Sequence, residues 1–380
     1  MIEDIIGIEA LGIDEEGGAR TSILNLISHV TRNNEATKFV VYLSKAEQEI
    51  ESDNIQQVIL PFRKGILARV FLQLYLPIDI LLRKIKLIHF TKSQASLVFK
   101  AKMVLTIHDV TILKHPQIYP KLSVIYWKYI QPWMANKMDA IITVSHDAAS
   151  DIVEFYKVKR EKIFVIYNTS QFDSSITHDD TLWKAISQKY QLPDEYFLYV
   201  GILALKKNLE TMIKAYQKFT LELDQQVPQL LLIGPRYAIS DGSSVLDLIS
   251  KLHLEDHIRY LGKLPKIDLY YIFKNATIFI FPSYHEGFGI PCLEAMQLGV
   301  PLIASNVSAI PEVVGSAGIL INDYLSPNAW AAAIRDLYSD QKARTELINE
   351  GIKQFQIINN QHSLSSVMNI YLNLLKLPDK

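Results

Sequence analysis

Cysteine is almost absent: Cys292 is the single one in 380 residues. One thiol forms no intrachain disulfide and supports no cysteine zinc cluster. Charge of one sign is also lacking, with 39 Lys and Arg against 40 Asp and Glu. No global basic field therefore speaks for nucleic acid. No uncharged apolar run reaches the ~18 residues of a bilayer-spanning helix. The N-terminus, MIEDIIGIEALGIDEE, lacks the basic start and apolar core of a signal peptide. A cytoplasmic protein is expected.

Several motifs are missing as well. There is no G-x-G-x-x-G, no G-x-x-x-x-G-K-[ST] and no G-x-S-x-G, which removes the usual dinucleotide, P-loop and serine-hydrolase signatures. His285-Glu286 opens like a zinc motif, but Gly289 stands where the second His belongs. No two aspartates are spaced D-x-D, the pairing that holds a nucleotide diphosphate through a metal. If a nucleotide diphosphate binds, protein groups should hold it, with no cofactor and no metal.

What is present is a globular composition, 49% hydrophobic and 21% charged, long enough for two domains. Short apolar runs alternate with helix-length segments: Ile5–Glu9, Phe39–Leu43, Val58–Leu60, Met103–His108, Ala140–Val144 and Ile163–Ile166 read as strands. The polar stretch 168–195 breaks the pattern. Strands then resume at Phe197–Val200, Leu230–Ile233, Ile258–Leu261, Thr277–Phe281 and Pro301–Ala304. Runs such as LLLIG and TIFIF are apolar on both faces, as in a parallel sheet covered by helices on both sides. The expectation is an α/β protein of two Rossmann-like, doubly wound parallel-sheet domains facing a cleft. The boundaries read 1–170, a linker at 171–195, 196–357, and a last helical segment at 358–380.

The segment 277–299, TIFIFPSYHEGFGIPCLEAMQLG, reads strand, loop, helix. Pro291 suits the first helical turn and Gly299 the C-terminal cap. Gly287 and Gly289 let backbone approach a ligand, and the helix N-terminus offers N–H groups to a phosphate or oxygen-rich ligand. Glu286 in the loop and Glu294, placed in the first helical turn, flank that point. A ligand with central phosphates and hydroxyls at both ends, a nucleotide-sugar, would use both carboxylates. An ordinary Gly-rich junction with a dipole-stabilising Glu accounts for the same residues.

The run E-G-F-G-I-P-x-x-E-A-M-x-x-G-x-P resembles the E-x7-E signature of retaining glycosyltransferases of family 4, which have the GT-B fold. Tyr199-Val200-Gly201 with Lys206-Lys207-Asn208-Leu209 is similar to a second family block, and Asn208 reads as the N-cap of the helix after it. The resemblance implies donor contacts at Glu286, Gly287, Phe288, Gly289 and Ile290, ribose hydroxyls on Glu294, and diphosphate on Lys206 and Lys207. It implies a further donor-facing turn at Gly17 and Gly18. His108 and Asp109, at the end of Met103–His108, match an H-D near the reacting sugar; Ser145 is read as a helix cap. Catalytic roles then fall on His108, Asp109, Glu286 and Lys207. One departure stands out: many members carry Arg directly after the block's Gly, and here it is Ile202.

The implied activity is metal-independent, retaining transfer of a hexose from a GDP- or UDP-sugar to a glycan or lipid-linked acceptor of surface polysaccharide synthesis, with mannose favoured by similarity to bacterial mannosyltransferases. A catalytically weak GT-B protein that only binds nucleotide-sugar is the alternative, supported by Ile202; an epimerase of similar fold is a third. Segment 62–86 carries six cations and one acid among large apolar residues. It reads either as a core-facing helix with a solvated basic face or as an element that docks on an anionic membrane surface, peripheral at the inner membrane face.

Overall fold

Among the described residues, thirteen strands, most of them apolar runs, form two all-parallel sheets. The computed structural model describes the chain except residues 1–3, 15–17, 33, 35–36, 61–65, 94, 97–99, 174–175, 177, 205–206, 223–226, 237–242, 361–364 and 378–380, and except the side chains of 66–72, 243–244 and 365. Gly17, Arg63, Lys64 and Lys206 thus lie outside the described residues, as does the side chain of Arg69. The chain divides into two compact units, Met1–Thr169 with Asn359–Lys380, and Ser170–Ile358.

In the first unit the strands are β1 (Ile5–Glu9), β2 (Lys38–Leu43), β3 (Ile55–Ile59), β4 (Ile85–Phe90), β5 (Lys102–Thr106), β6 (Ala140–Thr143) and β7 (Ile163–Val165). Their order is β3-β2-β1-β4-β5-β6-β7. The order reverses between β1 and β4, the point where open α/β sheets receive ligands at the carboxyl ends of their strands. The central strand β4 lies within and beyond the segment expected as one basic amphipathic element, 62–86. That segment is instead a helix, Ile66–Leu82, a turn through Lys84 at φ 58°, and the start of β4. Without a glycine or a polar cluster at the join, the sequence hides the break.

The last helix, Ser365–Lys376, belongs to this unit and buries Val367, Met368, Ile370, Tyr371 and Leu374 in its core. A polar tie fixes it. His89 on β4, fully buried, bonds Tyr371 Oη through Nδ1 at 2.5 Å and Thr106 Oγ1 through Nε2 at 2.7 Å. Burial, with the nearby His108, lowers the His89 pKa to about 3. A neutral ring has one donor and one acceptor nitrogen, so both hydroxyls are served. Sequence reading had no sign of this contact.

The second unit holds β8 (Tyr196–Val200), β9 (Gln229–Ile233), β10 (Ile258–Gly262), β11 (Ile278–Phe281), β12 (Leu302–Ser305) and β13 (Ile319–Ile321), ordered β10-β9-β8-β11-β12-β13. Here the reversal lies between β8 and β11. Both strands are buried along their whole length, which explains their unbroken apolar character. The stretch expected as a linker with one short helix carries the helix Asp180–Tyr190, capped by Asp179 and held to this unit where Lys189 and Tyr190 each donate to Asp268 Oδ2 at 2.7 Å. Only Ile186 of that helix is buried, so its periodicity was faint.

Candidate active site

The site of the second unit forms where β8 and β11 end. Gly201 follows β8 and donates its N–H to Ile233 O at 2.9 Å. Gly234, at φ 140°, approaches so closely that a Cβ there would stand 2.1 Å from Gly201 O. No side chain fits between these backbones, so two adjacent strand ends stay bare. Lys207 comes next, 8% exposed.

After β11 the chain reaches Glu286, whose N–H donates to Ser308 Oγ at 2.9 Å. Its carboxylate forms a short ion pair with Lys207 Nζ. The two side chains are 11% and 13% exposed. Lys207 Nζ also lies 5.4 Å from the centre of the Phe281 ring. Two of the expected site residues, one from each side of the strand-order reversal, are thus brought together. The expectation had a free lysine waiting for phosphate; the structure gives it a carboxylate. A desolvated cation needs a partner, and Glu286 is the one at hand.

The helix Ile290–Leu298 starts from Gly289 at φ 100° and ends at Gly299, whose N–H bonds Ala295 O and Met296 O. Pro291 is in its first turn. Phe288 is buried, so its ring faces the core and only its backbone is left for a ligand. Cys292 is buried too, and burial pushes its thiol well above the ordinary range, which removes it as a nucleophile.

Glu294 departs from expectation. It stands in the second turn of the helix, not the first, and is 1% exposed. The helix N-terminus therefore does not account for it. Its Oε1 accepts a long hydrogen bond from Gln171 N at 3.4 Å. Burial pushes its pKa from 4.5 up to about 7, against the pull of Gln171 and of the Lys266 charge. Because the folded-state value lies above the unfolded one, the folded protein holds the proton between those values. The stability this confers is complete below pH 4.5 and is lost as pH rises through 7. Chemical unfolding of the empty protein should show a loss of about 3 kcal/mol across that window, absent in Glu294→Gln. Parallel pH profiles for the two proteins would refute this account of Glu294.

Asn208 is a second correction. It is buried with φ 52°, outside the extended backbone of an N-cap, and its Nδ2 donates to Tyr324 O at 2.9 Å. At Ile202, where an Arg was expected, the backbone oxygen accepts from Tyr199 Oη at 3.1 Å. Arg236, bridged through its backbone to the adjacent Leu203, stacks on Tyr260 at 4.9 Å.

The remaining candidates lie in the first unit. His108 follows β5, just past the strand end, and is partly exposed. Asp109 Oδ1 accepts from Thr111 N at 2.9 Å and so holds the start of a short helix. Gly18 opens the helix Gly18–Arg32 and is exposed. Ser145 caps His146–Tyr156 by accepting from Ala148 N, as its sequence position indicated. Sequence reading missed Ser308, Gln171 and Gly234; only Gly234 carried a visible signal, a glycine ending an apolar run.

Two family models cover most of the chain: Glycosyltransferase Family 4 over residues 16–169, and Glycosyl transferases group 1 over 184–354. The O-antigen chain mannosyltransferase B of Escherichia coli is 32% identical over 274 residues, 71% of this chain and 70% of that protein. The chain is a group 1, family 4 glycosyltransferase. Its fold is GT-B. The sucrose-phosphate synthase of Thermosynechococcus elongatus superposes with a TM-score of 0.77 at 18% identity, covering 98% of this chain and 99% of that one. Anabaena HepE, solved with UDP and glucose, superposes at 0.74 with 17% identity, covering 99% of this glycosyltransferase and 100% of its own chain.

Proposed function

We propose that this glycosyltransferase moves a hexose, mannose first, from a nucleotide-diphosphate sugar to a glycan or lipid-linked acceptor of surface polysaccharide synthesis, with retention and without a metal. The observation that carries the donor half is the buried Lys207–Glu286 pair at the strand-order reversal, beside a helix that begins on a left-handed glycine. The sugar rests on the similarity to a mannosyltransferase. The HepE structure with UDP makes uridine the second base to test.

In this reading the diphosphate takes Lys207 from Glu286, with the backbone of Gly287, Phe288, Gly289 and Ile290 around it. Glu294 accepts from the ribose hydroxyls. Glu286, once released, faces the sugar, where positive charge grows as the bond from the anomeric carbon to the phosphate oxygen breaks. The acceptor oxygen forms its bond on the same face, and its proton goes to the departing phosphate. His108 attends the reacting sugar, with Asp109 holding the local backbone. Charge on the leaving group is balanced by preorganised cations and N–H dipoles, an electrostatic contribution of the kind that usually dominates catalysis.

Transfer from GDP-mannose and from UDP-sugars to a lipid-linked acceptor extract, in excess EDTA, tests the reading. Turnover should persist with chelator and be greatest with GDP-mannose. Activity that vanishes with EDTA and returns with Mg²⁺ or Mn²⁺ overturns the metal-free diphosphate site.

A further inference from the structure

The donor reading fixes where the base of the nucleotide lies. The Lys207–Glu286 pair marks the diphosphate at the reversal between β8 and β11. Glu294, assigned to the ribose, stands within reach of the Lys266 charge. Lys266 opens the helix Lys266–Lys274, which follows β10. The nucleotide thus runs from the pair toward the ends of β9 and β10, and its base comes to rest there.

Those strand ends are bare. Gly201, Gly234 and Gly262 close β8, β9 and β10, three neighbours in the sheet. Their backbones are tied together: Gly201 N donates to Ile233 O and Gly234 N to Gly262 O, each at 2.9 Å. A Cβ at Gly262 would meet nothing within 4 Å, so open space lies over that end. Three glycines in a row make a backbone shelf on which a planar ring lies without meeting a side chain.

A cation stands beside the shelf. Arg236, two residues after Gly234, is exposed, and its guanidinium lies 4.9 Å from the centre of the Tyr260 ring. Tyr260 is itself fixed, its Oη donating to Gly234 O at 2.8 Å. The backbone of Arg236 is bridged to Leu203, beyond the end of β8. Both ends of the side chain are therefore held next to the three glycines. Stacking engages the face of the guanidinium and leaves the N–H donors of its edge for a ligand. Arg259 differs: its guanidinium is spent on the backbone oxygens of Tyr190 and Gln191, at 2.7 Å each.

A planar fork of donors matches two acceptors side by side. Guanine has such an edge in O6 and N7, and Arg on that edge is the commonest specific base contact. Uracil sets one carbonyl, O4, between a ring N–H and a C–H, and gives the fork a single acceptor. We propose that Arg236, stacked on Tyr260 beside the glycine shelf, reads guanine at O6 and N7 and so selects GDP-sugars over UDP-sugars. The inference rests on the donor reading above and deepens it by naming the residue that chooses the base.

The test is titration calorimetry with GDP, UDP and 7-deaza-GDP, which lacks N7, on wild type and on Arg236→Met. Wild type should bind GDP about tenfold or more tighter than UDP, and 7-deaza-GDP more weakly than GDP. Arg236→Met should weaken GDP to the level of UDP, leave UDP unchanged, and bind GDP and 7-deaza-GDP alike. Unchanged UDP affinity also shows the variant folded. Equal loss of GDP and UDP overturns the proposal and assigns Arg236 to phosphate. So does a variant that keeps the wild-type preference, or a wild type that binds UDP as tightly as GDP. In each of these cases a nucleotide still binds and the donor reading stands. A wild type that binds neither nucleotide overturns the donor reading, and the proposal falls with it.

Discussion

Lys207→Met is expected to lower kcat/KM by about a thousandfold, the upper range for removing one preorganised charge from a developing anion. It should also destabilise the protein by ~3–5 kcal/mol, because Glu286 is left in its buried site without a cation. The two effects separate in the double variant. Lys207→Met/Glu286→Gln removes the stranded charge and should recover most of the stability while activity stays low. Steady-state kinetics beside denaturant unfolding reads both. If the double variant recovers activity along with stability, Lys207 acts only through the fold.

Glu286→Gln should lower kcat by about a hundredfold or more, since its carboxylate meets positive charge that grows only as the glycosidic bond breaks. Its effect on free nucleotide has the opposite sign. In the empty protein Glu286 competes with phosphate for Lys207. Neutralising it frees the cation, so calorimetry with GDP or UDP should show binding as tight as wild type or tighter. Above pH 7, where Glu294 is ionised, Glu294→Gln should instead weaken free nucleotide and donor alike by about tenfold or more, the worth of a hydrogen bond to a charged group. Loss of nucleotide affinity in Glu286→Gln with affinity kept in Glu294→Gln would reverse the orientation of the donor.

Much of this was legible in the sequence for local reasons. Strands apolar on both faces announce parallel sheets, and Ser145 and Gly299 mark helix ends with side-chain and backbone geometry confined to a few residues. The E-x7-E segment was legible as a strand-loop-helix for the same reason. What failed was everything set by distant partners. Lys207 and Glu286 are 79 positions apart and His89 and Tyr371 are 282 apart, so no spacing rule reports that they meet. Glu294 looked like a first-turn acid because sequence carries no burial value for a single carboxylate on a helix hydrophobic on most sides. Asn208 looked like a cap because residue type alone does not reveal a positive φ. The strand β4 was hidden by following a helix without a turn signal.

The anomeric configuration of the transferred sugar tests the account most directly. The reaction is run with GDP-mannose in excess EDTA, and the product is read by NMR from the one-bond carbon–proton coupling at its new glycosidic carbon. The account predicts the α configuration of the donor, formed without added metal. A β product, or a product formed only when Mg²⁺ or Mn²⁺ is supplied, contradicts it.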